Sequence, residues 1–200
     1  MTGARRGAVP RLDIDGIVTA AWALVERDGI DALSTRTLAA ALGVRGPALY
    51  WHVASMQELL GLMIERALRD AIATPPGDLP WQEWLRAIAR EQRRALLAHR
   101  DSGRIASGLS PSEAIRSELI PTIIAPLLAA GIERKDAVAA TGALASFVLG
   151  WVIYEQRRET RDLIAALVDL DEAFEFGLDA LIVGLVGKVA LPSRGPGEAR

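Results

Sequence analysis

Apolar residues recur three and four places apart along most of this chain, and nowhere do they alternate strictly with polar ones. β-Branched runs are few, so helices are predicted and strands are not. Ile14, Ile17, Val18, Ala21, Trp22, Leu24 and Val25 form one such stripe over residues 13–28, and Gly29 stops it. Ser34 offers an N-cap for a short helix through Leu42, ended by Gly43. Pro47 suits the first residue of a third helix, with Gly46 as its cap, running only to about Val53. Ser55-Met56-Gln57-Glu58 is a capping box that opens a fourth helix reaching about Ile72.

Beyond the break "TPPGDLP" at 74–80, a helix from Trp81 carries Trp84, Leu85, Ile88, Leu96 and Leu97 on its apolar positions. Ser110-Pro111-Ser112-Glu113 reads as a second capping box, and the helix that it starts contains Pro121 and Pro126, which remove hydrogen bonds and predict a kink with a cavity beside it. Gly131 ends that helix. From Ala137 to Tyr154 there is no charged residue. At 1.5 Å per residue this run reaches only about 27 Å, and much of it is Ala, Gly, Ser and Thr, which favours a helix covered by protein over a membrane span. Residues 171–189 start with an acidic turn and are then apolar almost all the way round. One chain of 200 residues has little left to cover two such helices. Pairing them with the same two from a second copy makes a four-helix bundle, with Phe147, Leu178, Leu181, Ile182 and Leu185 expected in the subunit contact. The tail from residue 192 has the composition of disorder.

Three helices within the first 53 residues, the last two short and joined around a Gly, are the pattern of a helix-turn-helix, whose second helix lies in the DNA major groove. Leu49 and Val53 are four apart and face the small core. Tyr50, Trp51 and His52 then face outward, with O–H and N–H donors that phosphate oxygens accept.

Half of the residues are apolar, enough to bury a core. The net charge is −2, so DNA affinity has to come from local placement of charge. There is no Cys and only His52 and His99 are His. That removes disulfides, thiolate metal sites and Cys nucleophiles, and it fits a reducing cytosol. No apolar leader is visible in "MTGARRGAVPRLD". No metalloprotease, nucleophile-elbow or P-loop motif occurs. The acids Asp13 and Asp15, and Asp169 and Asp171, sit at helix starts, where they answer the helix dipole. No catalysis, cofactor or metal is expected.

The string "STRTLAAALGVRGPALYWHV" with its following capped helix resembles the DNA-binding segment of the TetR family of transcriptional repressors, and "LYWHV" is especially similar to the tetracycline-repressor branch. "WQEWLR", "LLAHRD", "SPSE" and "LGWVIYEQ" continue the likeness in order. The resemblance implies an all-α protein. A helix-turn-helix head (1–54) would precede a ligand-binding and dimerisation domain (55–191) and the tail (192–200). It implies that Thr35 and Arg36 touch phosphate and a base, that Gly46, Pro47 and Ala48 face the groove, and that Tyr50, Trp51 and His52 hold the backbone. Two positions depart from that branch. Met56 stands where it has a phosphate-binding Lys, and Gly46 where it has a base-reading Gln, so the operator should differ, with Arg45 supplying part of the missing contact.

The expected partners are a double-stranded, palindromic DNA operator, a second copy of the chain and a small-molecule effector, in the cytoplasm and away from any membrane. Tetracycline-binding members hold a drug-bound magnesium through a His that follows the "HRD" stretch; the matching residue here is Ala106. The neighbouring polar positions are Leu109 and Ser110, and drug-contacting His and Asn align with Ile72 and Ile88. The acid near the end of the bundle helix aligns with Tyr154, beside Glu155. Losing the imidazole favours an apolar or aromatic effector, held by Trp84, Ile88, Leu109 and Trp151 and oriented by Gln92, Ser110 or Tyr154. The other readings are a regulator of the same build with no small-molecule ligand, and, from a different class, a membrane-anchored helical protein.

Overall fold

The computed structural model describes residues 12–72 and 79–190, and all of its regular structure there is helical. The break at 74–80 falls mostly, and the tail from residue 192 wholly, outside the described residues. The chain divides into two compact units, Met1–Met63 and Ile64–Arg200.

In the first unit, α1 spans Ile14–Asp28, α2 Thr35–Leu42 and α3 Gly46–Leu49, and the first turns of α4 (Met56–Ile72) complete it. Each start has a chemical cause. Asp13 caps α1, its Oδ1 accepting from Gly16 N at 2.8 Å. Ser34 caps α2 in a reciprocal box: Thr37 N donates to Ser34 Oγ, and Ser34 N to Thr37 Oγ1 at 2.9 Å. Gly43 ends α2 in the left-handed region, φ 66°, where a Cβ would be strained. The core is the predicted stripe of α1 from Ile17 to Val25 with Leu38, Leu49, Val53, Leu59 and Met63; Ile14, the first residue of that stripe, is exposed instead.

α3 differs from expectation. Arg45, not Gly46, is its N-cap residue, and regular helix stops at Leu49, followed by a turn in which His52 N and Val53 N both donate to Leu49 O. The start of α4 cuts it short: Ser55 Oγ accepts from Glu58 N at 3.0 Å, and the Glu58 carboxylate reaches back to Ala54 N at 2.6 Å.

The second unit holds the rest of α4, then α5 (Trp81–Leu97), α6 (Ser102–Ser107), α7 (Ile120–Ala129), α8 (Arg134–Gln156), α9 (Arg158–Ala165) and α10 (Leu170–Ala190). α8 is the spine. Its Ala137, Ala140, Leu144, Val148 and Val152 form one buried stripe that packs on α5, α6, α7 and α10. α5 and α10 run antiparallel, stapled by Arg86–Asp179, Arg90–Glu175 and Arg93–Asp171 at 2.6–2.8 Å.

The expected cap at Ser110 lies two residues early. Ser112 Oγ accepts from Ile115 N at 3.1 Å and donates to Glu65 Oε2 on α4 at 2.9 Å. The disruption expected from Pro121 appears as a π-helical stretch, Ile115–Leu119, immediately before it, where Ile120 N bonds Ile115 O five residues back.

Within the single chain the long apolar run is buried along one stripe only. α8 is long and apolar enough to cross a membrane, but its buried stripe is the core of this unit. Its Val138, Ala139, Gly142, Ala143 and Ser146 are exposed in the single chain.

Candidate functional site

In the head, the starts of α2 and α3 meet. A Cβ on Gly46 would lie 3.8 Å from Thr35 Cγ2, so Thr35, Arg36, Arg45, Gly46, Pro47 and Ala48 belong to one neighbourhood. Arg36 and Arg45 are exposed, and neither guanidinium makes a hydrogen bond or ion pair with another described residue. Arg27 differs: its guanidinium is locked onto Asp28 at 2.6 Å. Pro47 is exposed, whereas Thr35, Gly46, Ala48 and His52 are half-buried.

Trp51 is 89% exposed and Tyr50 58%. Leu49 and Val53 on either side are buried and hold the turn down while the rings point out. Trp51 therefore does not pack on α4. Tyr50 does touch the head core, lining a small apolar void with Ile17, Leu38, Val53, Met56 and Leu59. Met56, in place of a phosphate-binding Lys, faces that void.

In the second unit the expected effector residues divide. Trp84 and Ile88 are core residues, and the Trp84 indole N–H is spent on Ile123 O at 2.9 Å. Gln92 is only 9% exposed and its carboxamide makes no hydrogen bond to another described residue. Trp151 is half-buried, and its indole nitrogen is buried with no acceptor among the described residues. Unpartnered interior donors are rare because desolvating them costs about 1–3 kcal/mol. Leu109 is half-buried, and Ser110 and Tyr154 are exposed.

Around Trp151 lies an aromatic cluster: Phe147 stacks on Phe174 at 5.3 Å between centroids, and Trp151 stands 6.1 Å from each. The Arg93 guanidinium covers Phe174 at 4.6 Å and is held by Glu155 and Asp171 at 2.6–2.9 Å. Burial disfavours the charge on Arg93, but hydrogen bonds to the two carboxylates outweigh it and raise its pKa above the ordinary value.

A second hollow, about 280 Å³ and half open, is lined by Asp101, Arg104, Ser107, Ile153, Gln156 and Arg157. None of the expected effector residues lines it. Gln156 ties it together, accepting from Gly103 N at 2.9 Å and donating to His99 O at 2.8 Å and Ser102 Oγ at 3.0 Å. The charges in "HRDSGR" and "EQRR" were the available signal, but nothing in the sequence brings those two segments together.

The expected subunit contact needs a correction. Leu178 and Ile182 are fully covered by their own chain, because with Phe174 they form a stripe of three residues, spaced four apart on α10, that faces the core. What α10 leaves outside is Phe176, 79% exposed, and Val183, 66% exposed, while Phe147, Leu181 and Leu185 are half-buried.

Two family models match the chain. "Bacterial regulatory proteins, tetR family" covers residues 17–63, and "Tetracyclin repressor-like, C-terminal domain" covers 74–167. The tetracycline repressor protein class A from transposon 1721 of Escherichia coli is 34% identical, over 88% of this chain and 91% of its own length. A variant of TetR from Acinetobacter baumannii AYE, solved with minocycline, matches at TM-score 0.80 and 34% identity, covering 90% of this chain and 100% of that one. BioQ, solved with its double-stranded DNA operator, matches at TM-score 0.70 and 34% identity, covering 88% and 98%. With both halves matched and the helix-turn-helix in place, this chain belongs to the TetR family of bacterial transcriptional regulators.

Proposed function

We propose that the protein is a homodimeric repressor that holds a palindromic DNA operator through its two heads and releases it when a small apolar or aromatic effector enters the second unit. The observation that carries the DNA half is the pair of guanidiniums, Arg36 and Arg45, that have no partner among the described residues, on the same head as the exposed Tyr50 and Trp51. Phosphate contacts from the rings and Thr35 fix the head on the duplex, and the arginines read it. Two heads about 34–36 Å apart match one helical turn of DNA. The exposed apolar faces of α8 and α10 supply the surface for the second copy.

Gln92 and the Trp151 indole support the effector half. The Trp151 indole is a buried donor with no acceptor among the described residues, and Gln92 is a largely covered carboxamide with no hydrogen bond to another described residue; an acceptor-bearing ligand satisfies both. α4 belongs to both units and acts as the lever. Its second half is tied to the π-helical stretch by Arg69–Glu118 at 2.7 Å and to Ser112 just before that stretch by Glu65, and the stretch continues into α7, whose Ile123 holds Trp84 of α5. A ligand that shifts α5 against α7 acts on α4 through these bonds, for a coupling of about 1–3 kcal/mol.

Magnesium-bound tetracycline is a poor fit, since Ala106 replaces the imidazole that holds the metal and an apolar wall does not repay dehydrating a chelate. The test is to follow release of operator DNA on adding tetracycline with Mg²⁺, and then planar aromatic compounds. Release by an aromatic compound without magnesium, weakened about tenfold in Gln92→Leu, supports the reading. Micromolar, magnesium-dependent release by tetracycline overturns the effector assignment.

A further inference from the structure

We infer that the π-helical stretch Ile115–Leu119 is a register switch, which fastens α4 while it is π-helical and frees it on becoming α-helical. This rests on the operator-binding reading above and concerns how that binding is regulated. In an α-helix each N–H bonds the carbonyl four residues back, so Ile120 N would meet Arg116 O. Here it meets Ile115 O instead. Pro121 is the cause. It has no N–H to give to Ser117 O, and in an α-helix its ring would press on that carbonyl. A wider turn relieves the pressure but has poorer bonds than the α register. Two hydroxyls offset part of the loss: Ser117 Oγ donates to Glu113 O and Thr122 Oγ1 to Glu118 O, both at 2.8 Å. Each register thus carries its own penalty, which is the condition for a two-state element.

What the register controls is α4. Glu65 and Arg69 lie four residues apart on it and are joined to each other at 2.9 Å. Ser112, ahead of the π stretch, donates to Glu65 Oε2 at 2.9 Å, and Glu118, within the stretch, accepts from Arg69 Nη1 at 2.7 Å. One patch of α4 therefore grips the stretch at both ends. Conversion to the α register passes one residue through the turn. Relative to α7, that rotates Ser112 by about 100° around the axis and shifts it about 1.5 Å along it. The long side chains of Arg69 and Glu118 can follow such a movement, whereas the short Ser112 side chain is carried off Glu65. α7 is where a ligand acts on the turn: Ile123, three residues beyond Ile120, holds the Trp84 indole of α5 through its carbonyl. A fastened α4 is ordered before the operator arrives. A freed one has to be ordered on binding, and affinity falls.

The experiment measures the affinity of the full-length protein for a palindromic duplex that the parent selects from a randomised pool. Pro121→Ala supplies the missing N–H and removes the ring, so it favours the α register. It is expected to bind roughly 5- to 150-fold more weakly, the range of a typical coupling between two sites, and its crystal structure to show Ile120 N on Arg116 O. Pro126→Ala replaces the other proline of α7 without touching the turn and should bind like the parent. Ser112→Ala removes the Glu65 bond directly. It should weaken binding in the parent and add little in Pro121→Ala, whereas its loss as a cap on Ile115 N lowers the melting temperature in both backgrounds alike. Ser112→Thr keeps the hydroxyl and should bind like the parent. A Pro121→Ala protein that takes the α register and binds the duplex like the parent overturns the inference. So does one that keeps the π turn, and so do additive losses of affinity for Pro121→Ala and Ser112→Ala. A parent that selects no sequence overturns operator binding itself, which separates the two failures.

Discussion

The backbone of Gly177 on α10 passes the ring of Phe147 on α8 so closely that a Cβ there would stand 2.8 Å from Cε2 and 2.9 Å from Cζ. The ring cannot retreat freely, because it stacks on Phe174 and lies against Trp151. Gly177→Ala gains about 1 kcal/mol of helix propensity but forces the cluster to shift, at a cost of about 1–3 kcal/mol. The variant is expected to be no more stable than the parent in urea denaturation. Adding Phe147→Leu should relieve the clash, giving a coupling of at least about 0.5 kcal/mol in the double-mutant cycle. A Gly177→Ala protein more stable by the full propensity gain would show that this contact does not set the spacing of α8 and α10.

Arg93 joins three helices, with Glu155 and Asp171 as partners and the face of Phe174 beneath it. Its side chain is 14% exposed and that of Glu155 10%. Arg93→Met leaves Glu155 charged and mostly buried, so a loss of about 3–5 kcal/mol is expected. Arg116→Met, which breaks a pair on the surface, should cost no more than about 1 kcal/mol. Equal melting temperatures for the two variants would contradict this ranking.

The Arg90–Glu175 pair makes stability depend on pH. The hydrogen bond from Arg90 lowers the Glu175 pKa below its ordinary 4.5, against a smaller opposing effect of burial. A carboxylate with a lowered folded pKa contributes stability above its unfolded value and loses it as pH falls through the folded one. The gap in melting temperature between parent and Arg90→Gln should therefore be full at neutral pH and narrow as pH drops below 4.5. A gap that widens on acidification would contradict the assignment.

α10 has two apolar faces with different work. Leu178→Ala opens a cavity in the core of one chain and should cost about 2–5 kcal/mol whatever the protein concentration. Val183→Arg puts a charge on the exposed face, where the second copy sits in the proposed dimer. It should leave the fold intact by circular dichroism and shift sedimentation from dimer toward monomer. A Val183→Arg protein that remains a tight dimer would remove this face from the interface.

Most helix ends of the head were legible in the sequence, though α3 stops at Leu49 and not near Val53, because caps and glycines act locally: Asp13, Ser34, Gly43 and Ser55 each start or stop a helix through a bond within a few positions. Pro47 misled by one residue, since proline fits anywhere in a first turn. The second unit was legible in its helices but not in their facing. α10 is apolar nearly all round, so composition could not tell the inward Leu178 and Ile182 from the outward Phe176 and Val183. The Arg–acid staples of α5 on α10 join residues 78 to 93 positions apart, and no periodicity announces such pairs. Trp84 was expected to face a ligand; its indole finds a backbone carbonyl on α7 instead, a partner invisible in the sequence.

The most direct test of the central claim is fluorescence anisotropy of a labelled palindromic duplex, chosen by letting the protein select from a pool with a randomised inverted repeat, beside a duplex carrying a single half-site. Two protomers per palindrome are predicted, with a single half-site bound far more weakly, affinity falling steeply with salt, and Tyr50→Phe weakening all sequences alike. One protomer per duplex, with equal affinity for palindrome and half-site, would contradict the account.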